Sequence, residues 1–157
     1  MSRVEEEIAR DFAARARRFC ELCERPPAEP EHAARELIAA LGGLVGAAAV
    51  LPELEPSAEP DPAREPQPSA LPDFGEADHY RVAFDPYEDD DPVMGSLRDD
   101  LGDIYVDLRL GLAILERESE DAVADALFCW RFGFESHWGQ HATGALRALY
   151  WIARSRS

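Results

Sequence analysis

Three aspartates, Asp100, Asp103 and Asp107, recur at three- and four-residue spacing, and two histidines, His137 and His141, stand four residues apart further along the chain. At helical pitch each set falls along one flank of its own helix, so carboxylates and imidazoles can meet across a helix pair. A row of like charges at this spacing costs about 0.2–0.5 kcal/mol per pair, which a cation or an arginine removes. Two histidines one turn apart offer neutral nitrogens to a single zinc-type ion, and carboxylates from a neighbouring helix complete the ligand set. Asp103, His137 and His141 are therefore read as candidate metal ligands, with Asp100 and Asp107 in the same polar site and Trp130, Arg131, Glu135 and Trp138 beside it. The cofactor implied is a divalent cation. The competing reading is a buried His–Asp network that fixes helix register, with Asp99 and Asp100 serving the helix N-terminus. These residues name no substrate.

Other spacings give further readings. Asp99-Asp100-Leu101-Gly102-Asp103 has the DDxxD pattern of the isoprenoid synthases, whose chemistry needs a helical cavity larger than 157 residues provide. With Glu118 and Asp121 as an ExxD pair, the same acids resemble the all-helical nucleotide pyrophosphohydrolases. That resemblance implies magnesium held against phosphates and adds a metal-dependent phosphohydrolase to the readings. Asp85-Pro86-Tyr87-Glu88-Asp89-Asp90-Asp91 fails as an EF-hand loop, because Asp90 stands where glycine belongs and Ser96 where the bidentate glutamate belongs. This acidic loop, Asp85, Glu88, Asp89, Asp90 and Asp91, is read as a surface that faces a protein partner. Cys20 and Cys23 form a CxxC in the last turn of a helix, where the dipole raises rather than lowers a thiol pKa, and Cys129 leaves a four-thiolate zinc site incomplete.

The elements that position these groups are helical. Ser2 and Glu5 open a first helix in which Val4, Ile8, Phe12, Ala16, Phe19 and Cys23 form the apolar stripe, ended by Pro26-Pro27. Pro30 starts a second, with Leu37, Leu41, Leu44, Ala48 and Leu51 inward and with Gly42 and Gly46 spaced for a closely approaching neighbour. These two make an antiparallel pair over residues 1–51. Ser96 caps a third helix with a core stripe of Leu97, Leu101, Ile104, Leu108, Leu112 and Leu115. Ser119 caps a fourth through Val123, Leu127, Trp130 and Phe134, apolar nearly all round and so expected at the centre, either continuous or bent near Gly139 to Gly144. His137 and His141 are expected to be buried. Tyr80, Val82 and Phe84 alternate in a short extended piece.

Net charge is −16, of which residues 52–92 carry −11 through 13 acids and 2 arginines, leaving −5 elsewhere. A chain so negative is repelled by phosphate backbones and anionic lipid, which disfavours nucleic acid and membrane as partners. All 16 basic residues are arginine, consistent with the GC-rich codons that also yield much Ala, Pro and Gly. Glu5-Glu6-Glu7 stands where a secretory leader needs positive charge, so a cytoplasmic location is expected. Leu37 to Leu51 is uncharged but too short for the ~20 residues that cross a bilayer. Residues 52–78 are acidic and proline-rich, with seven prolines from Pro52 to Pro72, and are expected to form a disordered, extended linker that can be deleted without loss of the fold.

The blocks FDPYEDDDPV at 84–93, GSLRDDLGDIYVDLRLGL at 95–112 and WRFGFESHWGQHATGALRAL at 130–149 resemble a small bacterial all-helical family known only as a domain of unknown function. Residues 79–152 carry the resemblance and residues 1–51 match its helical N-terminal half. It implies the architecture and no activity. More distantly, HxxxH late in a compact bundle is similar to the DinB-like metal-binding bundles, where a third histidine comes from an earlier helix; His32 and His79 are the two candidates here. The reading is thus one all-α domain over residues 1–157, a four- to five-helix bundle in which residues 79–157 supply the extended segment and the remaining helices. Its leading function is a polar Asp/His site for a divalent cation, and the alternative is a non-enzymatic interaction module.

Overall fold

A computed structural model of the chain describes residues 2–154. Helix α1 (Arg3–Glu24) begins where the Ser2 side chain accepts the Glu5 amide at 3.1 Å, and it buries Phe12, Ala16, Phe19 and Cys23. Helix α2 (Pro30–Ala48) has its proline in the first turn, where no amide donor is missed, and buries Leu37, Leu41, Leu44 and Ala48. Strands β1 (His79–Val82) and β2 (Val93–Ser96) form an antiparallel hairpin, and Ser96 caps α3 (Leu97–Leu115) by accepting the Asp99 amide at 3.2 Å. Helix α4 (Ala122–Gly133), a π-helical turn (Phe134–Trp138) and α5 (Gly139–Arg154) then run on without a break in the chain's helical path. The all-α class holds, with α2 packed on α1 and α5, and α3 packed on α1, α4 and α5.

Several expectations are corrected. Helix α3 is the buried centre of the bundle, with Leu97, Leu101, Ile104, Leu108 and Leu112 fully enclosed and Tyr105, Leu110 and Ile114 buried on its other sides. The last helical run, expected there, exposes Phe132, Tyr150 and Trp151, because its all-round apolarity covers both a core face and a solvent face. Ser119 does not cap α4; its hydroxyl accepts the Asp121 amide within the preceding turn. Gly42 and Gly46 admit no close neighbour, and a Cβ at either would meet nothing within 4 Å because both line an open groove between α1 and α2. The extended piece at Tyr80 is one half of a hairpin, whose other strand lacks clear alternation in sequence, and the acidic residues 85–91 form its tip.

The run expected to be continuous or bent near Gly139 to Gly144 changes its hydrogen-bond pattern at the π turn, next to Gly139. A Cβ at Gly139 would overlap the carbonyl oxygen of Phe134, so the widened turn closes only over glycine. The turn swings Trp138 into the core, where its indole N–H donates to the Trp130 carbonyl at 3.1 Å. The ring centroids of Trp130 and Trp138 lie 4.7 and 6.4 Å from that of Phe12, so α1, α4 and the π turn meet in one aromatic cluster.

The most consequential correction concerns residues 52–78. They lack long regular structure, as their prolines dictate, yet they are strapped across α3 and α4 rather than disordered. Leu51, Leu71 and Phe74 are buried anchors. Between them Glu53 pairs with Arg131 at 3.1 Å, Ser57 donates to Asp125, Arg117 donates to the Pro60 carbonyl, Arg64 donates to Asp107 at 2.7 Å and Glu65 pairs with Arg109 at 2.9 Å. Exposed ion pairs are each worth little. What holds the strap is its three apolar anchors together with Asp107 and Asp125, buried acids that would otherwise be left without these partners.

Two stability measurements test this arrangement. Leu71→Ala should lower the urea-derived unfolding free energy by about 2–4 kcal/mol, as for any buried leucine, whereas a loose linker would leave it within about 0.5 kcal/mol. Gly139→Ala should cost about 1–3 kcal/mol through the forced shift of the π turn, and should move the proton-NMR signals of the His137 ring.

Candidate functional site

The Asp/His cluster lies where α3 faces the π turn and the start of α5. His137 Nδ1 is 2.7 Å from Asp107 Oδ2, and His141 Nδ1 is 2.8 Å from Asp100 Oδ1. A carboxylate only accepts, so each imidazole donates from Nδ1, and in the neutral ring Nε2 carries the lone pair. Both Nε2 atoms turn to the same carboxylate: Asp103 Oδ2 is 3.2 Å from that of His141 and 4.0 Å from that of His137. The two rings stand edge to face with centroids 4.9 Å apart. One ligand atom from each of Asp103, His137 and His141 falls within a 4.8 Å span, the spacing of atoms that share an ion.

The supporting shell comes from elsewhere. Tyr80 of β1 donates its hydroxyl to the second oxygen of Asp100, and Arg64 of the strap donates to the second oxygen of Asp107 at 2.7 Å. Tyr80 reaches Asp100 because glycine stands at 95 and 144, where a Cβ would lie 2.7 Å from the ring and 2.8 Å from the hydroxyl. Asp100 and Asp107 are thus buried with every carboxylate oxygen partnered. The histidines are less enclosed than expected, since the side chain of His137 is 48% exposed and that of His141 28%. The π turn carries the pair to the rim of the helix interface instead of its middle.

Of the residues expected beside the site, Trp130 and Trp138 form the core behind it, while Arg131 and Glu135 pair with each other at 3.1 Å and Arg131 also with the strap. Asp85, Glu88, Asp89, Asp90 and Asp91 stay at the exposed hairpin tip. His32 bonds Glu36 within α2 and His79 lies beside Asp78, so neither completes a three-histidine set; Asp103 takes the third place. Glu118 and Asp121 fall in the α3–α4 turn and are not brought to the cluster. Cys20 and Cys23 are buried and Cys129 partly so, and burial pushes the Cys20 and Cys129 thiols up to about 12 and the Cys23 thiol well above its usual range. The supporting roles of Tyr80 and Arg64 were not anticipated. For Arg64 a signal exists, since it is the lone base in residues 52–78.

These features define an all-α bundle with an Asp/His cluster on a strapped helix pair. The chain belongs to the family described as a domain of unknown function, DUF5063, whose model matches residues 3–155. Among solved structures it is similar to protein BF1032 from Bacteroides fragilis, at 21% identity and a TM-score of 0.70, over 92% of this chain and 94% of that one. That likeness shows the fold. No curated protein matches the chain, and no helix among the described residues is long and apolar enough to cross a membrane.

The His141–Asp100 bond sets a pH dependence. The hydrogen bond to Asp100 raises the His141 pKa above its ordinary 6.5, against the opposing effect of burial, and the charges of Asp100, Asp103 and Asp107 raise it further. A raised folded-state pKa gives stability that is fully present below the unfolded value and is lost as pH rises through the folded value. The thermal midpoint of the metal-free parent should therefore fall between pH 6 and pH 9 relative to His141→Gln; parallel curves would show that the bond carries no such coupling.

Proposed function

We propose that the chain binds a divalent first-row transition ion through Asp103, His137 and His141. The observation that carries this reading is the convergence of one ligand atom from each of Asp103, His137 and His141 within 4.8 Å. A cation between them would take all three as ligands in place of protons, and the Asp107–His137 and Asp100–His141 bonds have the form of the carboxylate–histidine supports that orient metal ligands. Two imidazoles and one carboxylate suit zinc, iron or manganese and leave coordination positions open for water or substrate. Such an ion would polarise a bound carbonyl or phosphoryl group, or supply hydroxide near neutral pH. Magnesium-dependent phosphate chemistry, the further reading, fits less well because two of the three ligands are nitrogen.

A second reading has its own support. Asp100 and Asp107 are fully satisfied by protein partners, as a purely structural network would be, and the hairpin tip exposes Phe84 and Tyr87 beside its acids. In that reading the cluster fixes helix register and residues 84–91 meet a basic protein partner.

Thermal scanning of chelated protein with zinc, manganese, nickel or magnesium separates the two. An ion at 100 times its dissociation constant stabilises the fold by about 2.7 kcal/mol, which is roughly 5–11 °C for a domain of this size. Zinc, nickel or manganese should produce the shift, more strongly at higher pH because a proton on Nε2 competes, and Asp103→Asn should abolish it without unfolding the protein. Asp107→Asn should weaken binding about 10–100-fold through His137. If no ion moves the midpoint, the interaction module is the correct reading.

A further inference from the structure

A cavity of about 460 Å³ lies between the strap and α4, with Leu110 of α3 also in its lining. His137 and Asp107 form part of its wall, so it adjoins the Asp/His cluster, but Asp103 and His141 do not line it. Four carboxylates border it against a single guanidinium. Three of the acids have partners: Asp107 holds Arg64, Asp125 accepts from both the backbone and the hydroxyl of Ser57, and Glu59 lies 3.8 Å from Arg117. Asp61 has neither a hydrogen bond nor an ion pair among the described residues, and its charge reaches inward far enough to help raise the pKa of Cys129. In the same lining Phe128 and Phe132 stack at 5.6 Å, and Phe132 stays 58% exposed.

We propose that this cavity binds a small organic cation, an ammonium on an apolar body, with Asp61 as counter-ion and the faces of Phe128 and Phe132 against the body. Each part of the lining argues for that class. An unpaired carboxylate within a wall of net negative charge attracts a cation and repels an anion. Aromatic faces add attraction for an ammonium and cover apolar surface beside it. The volume suits a small molecule rather than a peptide segment. Arg64 is already engaged with Asp107 and does not compete for Asp61. The proposal is independent of whether the Asp/His cluster holds a metal.

The test is calorimetric titration of the full, chelated chain with phenethylamine, and with 3-phenylpropionate as a probe of similar shape and opposite charge. Phenethylamine should bind one to one, with an affinity that falls as salt rises, while 3-phenylpropionate should not bind. Asp61→Asn and Phe132→Ala, both at exposed positions that leave the core intact, should each weaken phenethylamine by about tenfold. Asp103→Asn should leave it unchanged, so that failure of the metal site and failure of this cavity are told apart. Absence of phenethylamine binding to the parent, equal binding of the two probes, binding that survives either cavity substitution, or binding lost with Asp103→Asn would each overturn the proposal.

Discussion

Asp100, Asp107 and Asp125 are the buried charged groups among the described residues, and much of the architecture around the bundle results from their need for partners. A carboxylate taken out of water without hydrogen bonds costs several kcal/mol, more than a small helical core can spare. No two of the three are satisfied by the same set of elements. Asp100 draws in the β-hairpin through Tyr80 and α5 through His141; Asp107 draws in the strap through Arg64 and the π turn through His137; Asp125 holds the strap again through Ser57. Segments with weak structure of their own are thereby fixed to the helices at defined points.

This explains why the strap is ordered despite its composition. Its prolines remove backbone donors and its acids repel one another, so it cannot fold alone. Proline also lowers the entropy the segment has to lose, and the anchors Leu51, Leu71 and Phe74 sit near its ends while the polar contacts fall between them. The acids at 53 and 65 meet Arg131 and Arg109 on the helices beneath and Glu59 meets Arg117 in the turn between α3 and α4, so part of what counts as net charge in the segment is complementarity in the fold.

The helices were legible in the sequence because their apolar stripes are regular: the leucines that the three- and four-residue spacing selects in α2 and α3 are buried, Leu115 partly, and Leu110 is buried outside the stripe. The site was legible to the same extent, since the pairing of the Asp100 to Asp107 row with His137 and His141 depends only on which flank each helix turns to its neighbour. What the sequence hid was non-local. That Tyr80 would reach Asp100 depends on the pairing of β1 with β2 and on glycines at 95 and 144, and that Arg64 would reach Asp107 depends on the path of a segment without periodicity. The π turn was hidden for a different reason. One extra residue in a helical turn leaves no mark on hydrophobic spacing except a rotation of the turns after it, and that rotation is why the histidines lie at the rim while Trp138 lies within.

The same geometry bears on what the histidines are for. A structural histidine is satisfied when its nitrogens meet groups of opposite kind, as Nδ1 of each ring here meets a carboxylate. The Nε2 atoms are different, because both turn to Asp103, which in the neutral state of a ring offers them no donor, and no ion pair between Asp103 and an arginine forms among the described residues. In the metal-free protein a proton on His141 relieves the conflict, in keeping with the direction of its pKa. A proton satisfies one ring at a time, whereas an ion between the three atoms satisfies both rings and the carboxylate together. Asp103 thus serves either state, as a partner for protonated His141 or, in the cation-binding reading proposed above, as the third ligand.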